Sequence, residues 1–318
     1  MSTTKTFSLC IHGGAGVINK ENLSDKEKEL IVKDLNLSLS AGKEILSKGG
    51  TASDAACAAV VRLENSVHFN AGKGAVFSRS GQHFLEASIM DGHTLKAGAL
   101  ANSRSIKNPI EFAKTLMHRD DIVMLSGTAA DNMANQLKHE LVENNYFDTS
   151  FRKNQWETAK SLSENAIFLD HSNLKMGTVG AVAIDQNGHL AAATSTGGMT
   201  NKIDGRIGDT AIIGCGTYAN SICAVSCTGI GEYFIRTTIA SLVANLMEYG
   251  GLSLEEATHK AIHEHQAMLG GEGGLIAIDN QGHIAMPYNS QGMYRGLVNE
   301  LDDSQKVYIW NTDENALK

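Results

Sequence analysis

Proline is nearly missing from this chain, with 2 among 318 residues, while glycine reaches 32, so the composition is globular with many tight turns made by glycine. Cysteine is sparse as well. Cys10, Cys57, Cys215, Cys223 and Cys227 form an odd set without CxxC spacing, which argues against a disulfide framework and a zinc cluster and predicts buried free thiols. No Lys/Arg cluster stands out and the net charge is −8, which disfavours a nucleic-acid partner. No stretch approaches the roughly 18 apolar residues of a membrane span. Residues 1–11 lack the apolar core and small-residue cleavage site of a signal peptide. These absences lead to an expectation of a cytoplasmic protein with no membrane association.

The length suits one extended α/β domain with a large core. Leu9–Ile11 reads as a short strand entering a glycine turn, His12-Gly13-Gly14-Ala15-Gly16. Ser24 and Glu27 make a capping box for a helix that Gly49-Gly50 stops, and a buried helix is predicted over Asp54–Glu64. Phe69–Phe77 and His83–Met90 flank Ser80-Gly81 like the arms of a hairpin, and Pro109 opens a further helix. Two more helices are expected near Ala129–Asn144 and Asn154–Asn165. A polar connector from Asp148 to Met176 then ends abruptly in the apolar stretch from Gly177 to Val182.

Ala183–Ala191 and Ala277–Ala285 echo one another as strand, glycine turn, strand, and read as two hairpins of one antiparallel layer. Ile230–Met247 has helical spacing, and Ser253 with Glu256 caps another helix. Strands and helices in blocks predict stacked sheets with helices outside. His259 and His263 share a helix face without an HExxH order, so they read as solvated, and His12 reads as structural.

Thr178 is a hydroxyl between a glycine and a valine, opening an apolar strand directly after the connector. A bare threonine is a poor nucleophile. If the preceding bond is cut, its own α-amine, with a pKa of roughly 7.7 to 8.0, can take the hydroxyl proton near neutral pH. Spacing alone is better served by an ordinary strand threonine. Likewise Cys227-Thr228-Gly229 can be a simple strand end, and Arg206 with Asp209 a surface ion pair.

The stretch from Gly177 to Ala183, then Ala192-Ala193-Thr194-Ser195-Thr196-Gly197-Gly198-Met199-Thr200-Asn201-Lys202, resembles the plant-type asparaginases and isoaspartyl peptidases, which are N-terminal-nucleophile hydrolases. His12–Gly16, Phe69–Gly72, Met90-Asp91-Gly92 and Ser226-Cys227-Thr228-Gly229 resemble that family in the same order, so the match runs from near residue 9 to about residue 295.

The resemblance implies an α+β, four-layer αββα sandwich. It also implies one domain processed at Gly177-Thr178 into residues 1–177 and 178–318, with two such pairs associating as a dimer of heterodimers. The activity implied is release of L-aspartate from β-aspartyl dipeptides and L-asparagine. Carried over by position, Thr178 is the nucleophile, Thr196 tunes it, Asn70 supports it, and Thr228 with Gly229 forms the oxyanion hole. Arg206, Asp209 and Gly231 would bind the substrate. No organic cofactor is implied. A structural sodium would be held by the backbone carbonyls of Leu63, Glu64, Ser66, Phe69, Ala71 and Lys73.

Glycosylasparaginases are close competitors, but they tend to carry Asp before the nucleophile where this chain has Gly177. A taspase-type protease would need a longer connector. A phosphate-binding module on residues 13–16 would need GxxxxGK[ST] or GxGxxG, and neither is there. An unprocessed, non-catalytic scaffold is the reading from a different class.

Overall fold

A computed structural model of the chain describes residues 6–18, 20–162, 177–300 and 305–311. Its strands are β1 (Ser8–Gly16), β2 (Leu85–Asp91), β3 (Ala97–Ser103), β4 (Met124–Ser126), β5 (Val179–Ile184), β6 (Leu190–Thr196), β7 (Thr217–Ala219), β8 (Cys223–Gly229), β9 (Gly273–Asp279), β10 (Ile284–Ala285), β11 (Gly292–Asn299) and β12 (Lys306–Tyr308). The helices are α1 (Asp25–Ser47), α2 (Ala52–Glu64), α3 (Pro109–Met117), α4 (Gly127–Gln136), α5 (Ser150–Leu162), α6 (Gly231–Thr237), α7 (Ile239–Glu248) and α8 (Leu254–His259), the last running into a π-helical stretch, Lys260–Gln266.

Two sheets form, one ordered β12-β11-β1-β5-β6-β2-β3-β4 and the other β10-β9-β8-β7. Alternation along the central strands assigns each residue a face. Ile11, Ala181, Ala193 and Ile89 pack with Leu35, Leu39, Val60 and Leu116 of the helices outside the larger sheet. One residue on, Cys10, Val182, Ala192 and Met90 meet Ala224, Ile276 and Ile278 of the smaller sheet. The outer face of that second sheet, with Val225, Cys227 and Ala277, packs against Ala240, Val243 and Ala257 of α7 and α8. The result is the expected helix, sheet, sheet, helix layering, in which each fully buried Leu, Ile or Val contributes roughly 1.5–3 kcal/mol. All five cysteines are free and buried, as their spacing predicts.

Several local expectations are corrected. The stretch His12–Gly16 is not a turn; it continues β1, with a bulge between His12 and Gly14 where β1 pairs with β11. Phe69–Phe77 is not a hairpin arm, because β2 pairs instead with β3 and β6. The two echoing hairpins lie in different sheets, β5-β6 in the larger and β9-β10 in the smaller. Their common sequence reflects a common turn: Asp185 Oδ1 accepts from the N–H groups of Asn187 and His189, and Asp279 Oδ1 from those of Gln281 and His283.

Ile230–Met247 is broken into α6 and α7 at Thr238, which adopts a left-handed conformation. Of the predicted 129–144 helix, only residues through Gln136 are α-helical. Helix α5 occupies the start of the predicted polar connector, and residues 163–176 of that connector lie outside the described residues.

Candidate active site

Strand register brings two of the expected residues together. Val179 pairs with Ser195 across β5 and β6, so one residue outward Thr178 lies level with Thr196, and Thr196 in turn pairs with Glu86 of β2. Directly opposite residues project to the same face of a sheet. The next row inward on that face holds His12, Gly180, Thr194 and Ser88. Thr178 is 6% exposed and Thr196 2%.

Thr228 approaches from β8 in the other sheet, where its Oγ1 accepts the N–H of Ala15 at 3.1 Å. Gly177 lies in the same gap: a Cβ built on it would be 2.5 Å from Thr228 Oγ1 and 3.1 Å from Ala15 N. A Cβ on Gly14 would in turn lie 2.4–2.7 Å from the backbone of Gly177. Glycine on both sides therefore lets the Gly177-Thr178 peptide pass against the bulge of β1. Gly229, next to Thr228, has no room for a side chain, since its Cβ would meet Glu272 O and the Phe234 ring at 2.6 Å.

A buried hydroxyl chain floors this site. His12 Nε2 is 2.9 Å from Ser226 Oγ, which is 2.8 Å from Thr194 Oγ1; Thr217 Oγ1 donates to Thr194, and Ser88 Oγ donates to the carbonyl of Thr210 at 2.6 Å. Desolvation pulls the His12 pKa down to about 3, against a backbone hydrogen bond with Thr178 that raises it, so the ring is neutral at physiological pH. His12 sits within β1, not in a glycine turn, and its ring bridges the two sheets through Ser226.

Asn70 donates through Nδ2 to Gly198 O at 2.6 Å and accepts from Val76 N–H at 3.1 Å. Gly198 N–H donates to Thr196 Oγ1 at 3.0 Å. The amide of Asn70 thus pins the backbone that follows Thr196.

Arg206 and Asp209 do not pair as a surface bridge. Arg206 donates from Nε and Nη2 to both oxygens of Glu232, each at 2.9 Å. Asp209 is 4% exposed, and its Oδ2 has no hydrogen-bond partner among the described residues. Desolvation lifts its pKa to about 7; Arg206 opposes that shift, while the negative charges of Glu86 and Glu232 add to it. The two side chains converge over Gly231, where a Cβ would lie 2.8 Å from Asp209 Oδ1 and 2.9 Å from Arg206 Nη2. Gly231 therefore lets a guanidinium and a carboxylate with one unpartnered oxygen lie close together beside its backbone.

In the 63–74 segment, carbonyl oxygens gather around two glycines. A Cβ on Gly74 would be 2.1 Å from Phe69 O, 3.0 Å from Val67 O and 3.1 Å from Ser66 O; one on Gly72 would be 2.4 Å from Glu64 O. The carbonyls of Leu63 and Ala71 already accept the N–H groups of Ser66 and Gly74, and the Asn65 N–H also points at Leu63 O. The ammonium of Lys73 turns away to Tyr146 O. No cluster of three His, Cys, Asp or Glu side chains suited to a metal occurs among the described residues.

Sequence reasoning did not single out Glu86, Lys202 or Glu232 for this site. Each is an ordinary charged residue whose partner lies 26 or more positions away, so no local pattern marks it.

A family model described as asparaginase matches residues 5–309. The isoaspartyl peptidase of Escherichia coli K12 is 47% identical over 294 residues, covering 90% of this chain and 91% of its own length. An isoaspartyl peptidase/L-asparaginase of Danio rerio is 39% identical over 286 residues, covering 90% of each chain. Its namesake in Mus musculus is 38% identical over 286 residues, covering 90% of this chain and 86% of its own. The motifs, the layering and these matches agree: the chain belongs to the asparaginase family.

Proposed function

We propose that the protein is a self-processing amidohydrolase that releases L-aspartate from β-aspartyl dipeptides and L-asparagine, with Thr178 as its nucleophile. The observation that carries this reading is the meeting of Thr178 with Thr196 across the sheet and with Thr228 from the facing sheet, where Gly177 is wedged between Ala15 and Thr228. In processing, Thr178 Oγ1 attacks the carbonyl carbon of Gly177. Once the C–O bond has formed, the hydroxyl proton passes to the amide nitrogen, the C–N bond breaks, and one water hydrolyses the resulting ester, leaving residues 1–177 and 178–318 as two parts of one domain. The new α-amine then serves as base for the same hydroxyl.

Thr196 holds the hydroxyl's surroundings, supported through Gly198 by Asn70. Thr228 Oγ1 and the N–H of Gly229 stabilise the oxyanion, a contribution of about 3–4 kcal/mol per donor where donors are preorganised. Arg206 receives the substrate α-carboxylate and Asp209 its α-ammonium, and Gly231 carries no side chain to crowd either group.

We also assign a structural sodium to the 63–73 loop. What supports it is the convergence of the Glu64, Ser66 and Phe69 carbonyls on Gly72 and Gly74, since hard cations take oxygen ligands. When bound, the ion would neutralise carbonyl dipoles and brace the segment that carries Asn70. Association of two processed pairs as a dimer, and a cytoplasmic location, complete the reading; five buried free thiols suit a reducing compartment. No helix among the described residues is long and apolar enough to cross a membrane.

The test is hydrolysis of a β-aspartyl dipeptide and of L-asparagine by the wild-type chain and by Thr178→Ala. Aspartate release by the wild type alone supports the reading, and equal release by both contradicts it.

A further inference from the structure

Glu86 and Lys202 are among the most buried charged residues of the chain, 0% and 1% exposed, and neither is in the machinery proposed above. Their positions are informative. Glu86 pairs across the sheet with Thr196, and Lys202 closes the Gly197–Lys202 loop that follows it. Lys202 Nζ donates to Phe84 O at 2.9 Å and lies 3.5 Å from Glu86 Oε1. The other oxygen, Glu86 Oε2, accepts the N–H of Gly208 at 2.9 Å. Gly208 lies between Arg206 and Asp209 in sequence, and a Cβ on it would meet Arg206 Nη1 at 2.8 Å and Glu86 Oε2 at 3.2 Å.

We propose that the buried Glu86–Lys202 pair is a positioning unit for substrate recognition: Lys202 fixes the Glu86 carboxylate, and Glu86 anchors the 203–209 loop at Gly208 so that Arg206 and Asp209 face one another across Gly231. This rests on the reading of Arg206 and Asp209 as the substrate's charge partners. A buried ion pair is weak as a source of stability but strong as a geometric constraint, because any displacement strands a charge away from water. The pair also sets the field. Glu86 lies within electrostatic reach of both Arg206 and Asp209, pushing the carboxyl of Asp209 toward its protonated form. The other charged and titratable groups facing this cluster are Arg206 and Glu232, with Asp204 near Lys202 and the thiols of Cys215 and Cys227 near Asp209.

The experiment compares wild type, Glu86→Gln and the neutral pair Glu86→Gln/Lys202→Met, with Arg206→Ala and Asp209→Asn as references. It reads self-cleavage, kcat and KM for a β-aspartyl dipeptide, and the pH dependence of inhibition by L-aspartate. Glu86→Gln keeps an acceptor for Gly208 but removes the charge. It is expected to self-cleave at the wild-type rate and raise KM about tenfold, with kcat within about threefold, because a neutral amide no longer pinned by Lys202 lets the 203–209 loop shift, which acts on binding before chemistry.

The low-pH step in L-aspartate inhibition should also move down by about one unit, because a like charge near Asp209 has gone. A merely structural residue would not move that step. If Glu86→Gln fails to fold, the neutral double variant removes the stranded Lys202 charge and should fold and show the same displaced step. An unmoved step and wild-type KM, while Arg206→Ala and Asp209→Asn raise KM, would overturn this inference alone. Failure of the double variant to fold would also overturn it, by making the pair a stability element. Unchanged KM in Arg206→Ala and Asp209→Asn would instead sink the underlying assignment of the substrate site.

Discussion

Arg206 lies against Glu232 in a fork of two parallel hydrogen bonds, each 2.9 Å long. The fork uses Nε and Nη2, while Nη1 lies toward Gly208 on the side of Glu86. Although desolvation pushes the Glu232 carboxyl up, the hydrogen bond from Arg206 holds it below its ordinary value. Glu232 therefore fixes the plane of the guanidinium.

Glu232→Ala should raise KM for β-aspartyl dipeptides about three- to tenfold with little change in kcat. The effect is modest because the glutamate side of the pair is half exposed, and a tenfold change corresponds to about 1.4 kcal/mol. Steady-state kinetics on the processed enzyme check it.

Gly231→Ala places a methyl 2.8 Å from Asp209 Oδ1 and 2.9 Å from Arg206 Nη2, which forces apart the two groups proposed to hold the substrate. We expect self-cleavage to proceed normally and kcat/KM to fall by about two orders of magnitude, the loss that misplacement near the chemistry typically brings. Mass analysis of processing alongside dipeptide kinetics separates the two effects.

Asp209, with its pKa near 7, must be ionised to receive an ammonium group. A raised carboxyl pKa means that the proton stays on below about pH 7, so inhibition by L-aspartate should weaken as pH falls through 7, by about tenfold per unit. Asp209→Asn should bind L-aspartate weakly at every pH and lose the step. The Thr178 amine titrates nearby and contributes its own limb to kcat, which makes inhibitor binding the cleaner readout.

Thr228→Val should lower kcat by about 10²–10³ as an oxyanion donor is lost. Thr228→Ser, which keeps the hydroxyl that accepts from Ala15 N–H, should recover most of it. Single-turnover rates of the two variants after processing are the measurement.

What could be read in advance followed the range of the interaction. The capping boxes at Ser24/Glu27 and Ser253/Glu256 form as spaced, because each is closed within one helical turn. The break at Thr238 carried no glycine or proline to announce it. Asp185 and Asp279 revealed two alike turns, yet turn chemistry says nothing of which sheet a hairpin joins. At the site, Thr178, Thr196 and Thr228 are singled out by the family resemblance of the motifs that carry them, not by their spacing. Ser226 under His12, 214 residues away, and Glu86 under Gly208, 122 away, were not legible, since only the stacking of two sheets brings them together.

The most direct test of the account is the intact mass of the purified wild-type chain after incubation at neutral pH, with N-terminal sequencing and a Thr178→Ala control. Two fragments, the second beginning at Thr178 and formed by the wild type alone, are expected. A wild-type chain that stays whole while hydrolysing β-aspartyl dipeptides would contradict the role given to the freed amine of Thr178.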